Sequence, residues 1–414
     1  MRGVVWLLLL FGVAVVAATA LGRNDGLVTL YWAGWRTDLS LNLFVLLVAG
    51  ACVLVMLALR ALDSLLSLPE RARAWRSLQR ERAAGRALRE AQAEYFGARY
   101  SRAHKAAARV IAIHEATPGL PDDTDMRLLA HLLAAGSLHR LQDRARRDEE
   151  LRRAMDLAPH GSLRSAADGA HLWAAEWALD DRDAAQALDQ LARLPPGVAR
   201  RTQALRLRLQ AARMARDPLQ ALHTARLLAK HQAFSSSAAQ GLLRSLAIEA
   251  LDVPHDAEQL RRQWQALDIT DRRDAAVAAR VAQRAAALGA PEDGRNWLRP
   301  LWESLDELPA DERTLVAGAL GDAAQGIGAD WLPRVEIALA RWPADPAVVA
   351  AAGIVFAERQ LWGKARRPLE QAAAAPTLDP RTRRHAWRLL AALAREEGDE
   401  AQAARCDRAA AEVG

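Results

Sequence analysis

Residues 345–380 read DPAVVAAAGIVFAERQLWGKARRPLEQAAAAPTLDP, and this stretch decides the fold of the 414-residue chain. Gly353 stands midway in a first helical stretch, Ala365 opens a second, and Ala372 follows seven residues later. Small side chains at these positions let two antiparallel helices approach closely. The stretch therefore predicts a helix hairpin.

The same spacing resembles a tetratricopeptide repeat, whose first helix carries a small residue at the contact and whose second carries alanine at two positions a double turn apart. A second match follows it, made by Trp387, Leu390, Ala391, Gly398, Ala403 and Ala410. From about Glu90 onward the composition is rich in Ala, Leu, Arg, Glu and Asp, with breaks at Pro, Gly and Asp. No alternating β-branched run is long enough to favour strands there.

The spacing recurs at intervals of 32 to 44 residues, which predicts an array of about nine hairpins over residues 90–414. The predicted starts of the second helices are Ala103, Arg147, Ala184, Ala221, Ala257, Gly294, Pro333, Ala365 and Ala403. Seven residues beyond each stand Val110, Ala154, Leu191, Leu228, Trp264, Leu301, Ala340, Ala372 and Ala410. Arg147, Gly294 and Pro333 depart from the alanine of the pattern. The predicted fold is all-α, with two membrane helices followed by a tetratricopeptide-like α-solenoid.

Two uncharged apolar runs, residues 3–22 and 39–59, precede this array. About 20 apolar residues at 1.5 Å rise cross a hydrocarbon core roughly 30 Å thick. We therefore expect a membrane anchor over residues 1–68, with an outer loop at 23–38. An alternative makes the first run a cleaved signal peptide, since Ala18-Thr19-Ala20 resembles a cleavage site.

Arginines follow the second run directly, in a predicted juxtamembrane helix at residues 69–89. Residues 60–109 carry twelve Lys or Arg against five acids, whereas the rest of the chain is nearly neutral. Arg-rich flanks stay on the cytoplasmic side, so both termini are expected there, with Tyr31, Trp32 and Trp35 at the outer headgroups. A charge confined to the membrane exit suits anionic lipid and not nucleic acid. The predicted membrane collar is Arg60, Arg71, Arg73, Arg76, Arg80 and Arg82.

The sequence shows little sign of catalysis, and we expect neither catalytic residues nor a metal site. Cys52 and Cys406 form neither a disulfide framework nor a zinc pattern, which fits a reducing compartment. The acidic clusters at 122–125 and 180–183 are expected to be helix caps or solvated turns. No cofactor is expected, although tetrapyrrole ligation by one of four histidines stays open. These are His104, His114, His131 and His139.

Tryptophan is the unusual count, with thirteen against three tyrosines and five phenylalanines. Packing between helices is the simpler explanation. Trp173 and Trp177, one helical turn apart, are the candidate partner-binding anchors, because tryptophan is enriched among binding hot spots.

Two segments resemble the HemY family of proteobacterial inner-membrane tetratricopeptide proteins. They are GLVTLYWAGWRTDLS at residues 26–40 and REAQAEYFGARYSRAHKAA at 89–107, where residues 98–103 stand at the turn into the second helix of the first repeat. The resemblance implies a role in late protohaem synthesis at the inner membrane. It does not extend to the unrelated flavin-dependent protoporphyrinogen oxidase of the same name, which would begin with a strand and a glycine-rich turn.

Taken together, these features predict a scaffold and not an enzyme. The anchor would hold the helical array at the cytoplasmic face, where it collects late haem-synthesis enzymes. Two alternatives stay open, namely direct handling of a tetrapyrrole and a general role in membrane-protein or envelope assembly.

Overall fold

The computed structural model describes residues 13, 22, 25–117, 123–160, 162–233 and 235–413. The chain divides into two compact units, residues 1–161 and 162–414. The predicted first span, residues 3–22, lies outside the described residues apart from positions 13 and 22.

Unit 1 opens with an antiparallel β-hairpin, β1 (Leu27–Trp32) and β2 (Trp35–Ser40). The sequence analysis expected only a loop here, and that expectation was wrong. Residues 28–32, VTLYW, favour a strand. Ala33 and Gly34 both take positive φ, 48° and 84°, which is the backbone that a two-residue hairpin turn requires.

The long helix α1 (Leu41–Phe96) follows the hairpin without a break. The Ser40 hydroxyl accepts a hydrogen bond from the Leu43 amide and caps its start. Its first part, Leu41–Asp63, is the one described helix that is long and apolar enough to cross a membrane. The helix passes through residues 68 and 89, where the sequence analysis placed domain boundaries.

Three helices complete unit 1: α2 (Tyr100–Glu115), α3 (Asp123–Arg140) and α4 (Arg144–Leu157), followed by a 3₁₀ turn at Ala158–His160. The end of α1 packs against α2, and α2 packs against α3. Small side chains form one of the contacts, because Ala91, Ala106, Ala107 and Ala134 are buried together. Close approach of helix backbones follows from these alanines.

Unit 2 is helical throughout its described part. Its helices are α5 (Arg164–Asp180), α6 (Ala184–Ala192), α7 (Pro196–Ala199), α8 (Thr202–Met214), α9 (Pro218–Lys230), α10 (Ser236–Asp252), α11 (Ala257–Ala266) and α12 (Ile269–Arg272). They continue with α13 (Ala275–Ala287), α14 (Pro291–Glu303), α15 (Ala310–Asp322), α16 (Leu332–Arg341), α17 (Pro346–Glu358), α18 (Trp362–Ala374), α19 (Pro380–Glu396) and α20 (Glu400–Glu412). Short 3₁₀ turns lie at Leu305–Glu307 and Ala329–Trp331.

One type of turn recurs between paired helices. A residue with positive φ ends the first helix, and the next amide donates to a carbonyl five residues back, as in a Schellman motif. The Asp143 amide reaches Leu138 at 3.0 Å, and the Asp183 amide reaches Ala178 at 2.8 Å. Asp183 then caps α6, so the predicted capping role of that acidic cluster is confirmed at this residue. Within helix pairs, turns of this kind have their positive φ at Ala98, Gln142, Arg182, Arg216, Gly289, Gln360 and Gly398, and Gln232 forms one between two pairs, after α9.

The predicted repeat positions fall within the first turn of the second helix in nine successive pairs of described helices. Gly353 performs its predicted role, since a Cβ there would lie 3.0 Å from the backbone nitrogen of Leu369 in α18. The register is wrong in α16, where Pro333 and Ala340 are exposed and Val335 and Ala338 are buried. The 3₁₀ turn before α16 lengthens the connection and shifts the register by two residues.

Candidate functional site

The predicted collar arginines lie along α1 and do not form a ring. Because α1 is continuous, a rise of 1.5 Å per residue separates Arg60 from Arg82 by about 33 Å. Arg80 donates to the Thr117 hydroxyl at 2.7 Å, which ties the helix to the end of α2. Contact of the whole collar with lipid therefore stays a prediction. Lipid contact is easier for Arg60, which directly follows the apolar run, than for Arg82.

Nine of the twelve described tryptophans are buried or partly buried, as the simpler explanation expected, and the other three, Trp32, Trp35 and Trp75, are exposed. Trp264, Trp302 and Trp331 are buried in the core of unit 2. Trp177 is also buried, at 5% exposure, and its ring lies 5.5 Å from that of the partly exposed Trp173. Of the two candidate anchors, Trp173 alone presents a surface to solvent, and its binding role stays a prediction.

The four histidines considered for tetrapyrrole ligation do not meet at one point. His131 Nδ1 lies 2.7 Å from the Glu150 carboxylate, and this hydrogen bond helps keep the pKa of Glu150 low despite its partial burial. His104 also lies near Glu150, where burial lowers the pKa of its imidazole. His139 Nδ1 instead lies 3.4 Å from the Arg147 guanidinium, and His114 is buried in α2.

The two cysteines lie in different environments. Cys52 is exposed in the apolar first part of α1, and Cys406 is buried in α20, where desolvation raises the pKa of its thiol. Within the described ranges, no group of three His, Cys, Asp or Glu side chains is arranged to hold a metal ion.

Unit 2 contains a groove on its surface. Four helices line it: α13, α15, α17 and α19, each the first member of its helix pair. Successive members of this set pack against each other, so their same faces form one surface. The groove has a volume of about 750 Å³.

The floor of the groove consists of small side chains. α17 contributes Ala347, Ala350, Ala351 and Ile354 at the spacing of one helical face. Gly318 in α15 faces open space, since a Cβ built there would meet no atom within 4 Å. These four residues of α17 are almost fully buried, whereas the neighbouring Leu315 of α15 is exposed.

The α19 wall of the groove is basic. Arg381, Arg384, His385 and Arg388 lie on one face of the helix, at i, i+3, i+4 and i+7, and all reach solvent at least in part. The opposite face of α19 is buried in the core. The wall is thus fixed in position while its cationic groups face the groove.

Two acidic residues in the groove are already engaged. Asp379 caps α19 and accepts from the Thr382 amide at 3.0 Å. Asp322 accepts from Gln283 Nε2 at 3.1 Å and lies 3.8 Å from the Arg381 guanidinium. In the described part of the chain, no carboxylate lies within 4 Å of the guanidinium groups of Arg384 or Arg388.

The position of His385 in the wall favours the neutral form of its imidazole. Although the residue is exposed, partial burial of its side chain lowers the pKa of His385. Asp322 opposes the shift, whereas Arg388 and Arg381 add to it. The cationic character of the groove at neutral pH therefore comes from the arginines.

We expect this lowered pKa to make the protein less stable in mild acid. As the pH falls below the ordinary histidine pKa of about 6.5, the unfolded state binds the proton before the folded state does, so the free energy of unfolding falls. The check is the melting temperature of the full chain at pH 7.5 and about 5.5, followed by circular dichroism. His385→Gln should show a smaller acid-induced drop than the original protein. His255→Gln, at an exposed turn, should keep the whole drop.

No motif in the sequence predicts this groove. A signal was present in RTRRHAWR, residues 381–388, where four Arg or His positions share one helical face. The small residues of the floor appeared only as repeat-packing positions, because nothing in the sequence shows which faces of different helices meet.

A family description, the HemY protein N-terminus, matches residues 26–142. This range begins just before the β-hairpin and ends in the turn between α3 and α4. It includes both segments on which the resemblance was based. No curated protein matches the chain. This match supports the resemblance to the HemY family over residues 26–142 of the chain.

Proposed function

We propose that the chain is a membrane-tethered helical scaffold of late protohaem synthesis, which holds other proteins and performs no bond-making step itself. The observation that carries this proposal is a groove on the first helices of successive pairs. It lies in a chain whose residues 26–142 match the N-terminal region of HemY proteins. Arrays of helix pairs present such surfaces to protein partners.

The N-terminal part supports the membrane position. The Leu41–Asp63 helix has the length and hydropathy of a span, and the arginine-rich part of α1 continues directly from it. Positive flanking residues favour the cytoplasmic side, so units 1 and 2 would follow on that side of the inner membrane. With a first span before the hairpin, both termini would be cytoplasmic.

The helix pairs support a tetratricopeptide-like array. Tight turns with positive φ recur between members of a pair, and the first helices of neighbouring pairs contact each other from α13 to α19. Gly353 allows the close contact within one pair that such repeats require.

Affinity isolation from membranes tests the proposal. We expect the full chain to co-purify with identified enzymes of late haem synthesis in mild detergent, and a chain ending at residue 89 to lose them. Mass spectrometry identifies the partners, and a fusion protein with the same tag and anchor but an unrelated helical domain is the control. Isolation without any haem-pathway enzyme would contradict the proposal.

Direct tetrapyrrole handling is the alternative that the same preparation can reveal. His104 is the best placed of the four histidines, because its lowered pKa keeps the imidazole neutral and its Nδ1 is buried without a hydrogen-bond partner among the described residues. A Soret band on adding haem to the full chain, lost in His104→Ala, would favour this alternative over a pure scaffold.

A further inference from the structure

We infer that the unit 2 groove binds an extended acidic segment of a partner protein, with Arg384 and Arg388 as its carboxylate-binding residues. The inference rests on the proposed scaffold function and names the chemistry of one of its partners. Charge complementarity is the argument, since the groove has a neutral floor and a cationic wall.

Arg384 and Arg388 differ from many other arginines of unit 2. Where arginines bridge neighbouring helices, a carboxylate commonly accepts from them. Examples are Arg244 with Asp274, Arg299 with Asp330, Arg313 with Asp345 and Arg334 with Glu303, all at 2.8 to 3.1 Å. Arg384 and Arg388 have no such carboxylate among the described residues, and Arg384 donates only to the Pro380 carbonyl, at 3.4 Å.

Placing these charges together is unfavourable without a ligand. Like charges four residues apart on a helix destabilise it. Arg384 and Arg388 have this spacing, and Arg381 adds a third charge on the same face. A bound anion would relieve the repulsion, whereas a purely structural role would be better served by carboxylates in the neighbouring helices.

The spacing fits an extended chain. Arg384 and Arg388 are separated by about 6 Å along the helix axis, from four residues of 1.5 Å rise. Side chains two residues apart on an extended segment lie on the same side, about 6.6 Å apart. Carboxylates at alternate positions can therefore meet both guanidinium groups.

The floor fits the backbone of such a segment. Ala347, Ala350 and Ala351 line it with short side chains that are almost fully buried, and a Cβ at Gly318 would meet open space. Leu315, which is 45% exposed, gives apolar contact for the side chains between the acidic ones. An alternating acidic and small apolar segment matches both surfaces.

Fluorescence anisotropy with defined peptides tests the inference. The probe is a rhodamine-labelled ten-residue peptide of alternating Glu and Ala, and its matched control replaces each Glu with Gln. With the full chain in nanodiscs of neutral lipid, we expect the acidic peptide to bind at least about tenfold more tightly, and salt to weaken it. Equal binding of the two peptides would overturn the inference.

Variants locate the binding. Arg384→Gln with Arg388→Gln should weaken the acidic peptide about tenfold or more, and Gly318→Leu should do so by filling the groove. The matched controls are Arg359→Gln with Arg367→Gln, which removes two charges outside the groove lining, and Gly241→Leu, another helical glycine facing open space. Full binding by the groove variants, or equal loss in the controls, would contradict the assignment.

Two further outcomes distinguish binding of an acidic segment from general polyanion binding and from the scaffold function itself. Displacement of the peptide by oligo-dT as effectively as by unlabelled acidic peptide would show a general polyanion surface and overturn the inference. If haem-pathway enzymes co-purify with both the original chain and the Arg384→Gln, Arg388→Gln variant, the scaffold function stands and the groove assignment fails. If no haem-pathway enzyme co-purifies with the original chain, the proposed scaffold function fails.

Discussion

Gly294→Ala should destabilise the protein, although alanine is the better helix former. A Cβ at Gly294 in α14 would lie 2.9 Å from the Ala282 carbonyl oxygen and 3.0 Å from its Cα, both backbone atoms of α13. The two helices would have to move apart, at a cost of about 2 kcal/mol after the gain in helix propensity. We expect the melting temperature of the full chain to fall by roughly 4–8 °C, measured by circular dichroism at 222 nm.

Gly318→Ala is the matched control and should have the opposite sign. Gly318 is also inside a helix of unit 2, but no atom lies within 4 Å of the Cβ that alanine would add. Removing glycine from a helix interior then stabilises by about 1 kcal/mol, so the melting temperature should rise by roughly 2–4 °C. If both variants shift stability in the same direction, close packing is not the reason for glycine at position 294.

The helix pairs were accessible to sequence reasoning because their signals are local. Small residues at helix contacts and breaks at Asp and Gly recur with a period, so the register locates nine pairs of described helices. The repeat pattern expects a small residue, alanine, at position 294. Glycine stands there because the two helix backbones lie too close together for any Cβ. Sequence patterns do not give the distance between two helices, so the sequence alone does not explain the glycine at position 294.

The β-hairpin was missed for a different reason. Its strands are six residues each, and the tryptophans near its turn were assigned to a membrane interface instead of to strands. The signal was the strand-forming run before Ala33-Gly34, a pair that adopts the positive φ values of a tight turn. Proximity to an apolar run biased the interpretation toward a loop.

The candidate site was harder to predict than the fold. The groove joins residues of four helices over about a hundred positions, from Gln283 to Arg388. Trp173 and Trp177 were chosen because of their residue type, which does not distinguish a binding anchor from a core side chain. The sequence shows that Arg and His share one face of α19. That this face lines a groove follows only from the structure, in which the opposite face of α19 is buried.

Arg295 binds the irregular connection between α15 and α16, the helix in which the predicted repeat register is wrong. This buried arginine of α14 donates from Nη1 to the carbonyls of Ala323 and Gln325, both at 2.7 Å, and from Nη2 to that of Gly326 at 3.4 Å. These carbonyls follow the end of α15, where helical partners are missing. From the other side, the Glu358 carboxylate accepts from the Gly326 amide at 2.9 Å. Desolvation lowers the pKa of Arg295, so its charge is retained there against the cost of burial.

Arg295→Met should therefore lower the free energy of unfolding by about 3 kcal/mol. Methionine keeps an apolar stem of similar length, but it leaves the buried carbonyls without their charged donor. We expect the melting temperature of the full chain to fall by roughly 6–12 °C. Arg295→Lys should recover only part of this loss, because one ammonium cannot reproduce the fork of donors that spans Ala323 and Gly326.

Arg341→Met provides the comparison for losing an arginine at the surface. Arg341 is 69% exposed, and its guanidinium lies 3.6 Å from the similarly exposed Asp306 carboxylate. Exposed ion pairs contribute little, so this variant should change stability by no more than about 0.5 kcal/mol. The contrast separates the loss of a buried cap from the loss of a positive charge. Equal effects of the two substitutions would show that the connection after α15 does not depend on Arg295, and that α16 takes its shifted register for another reason.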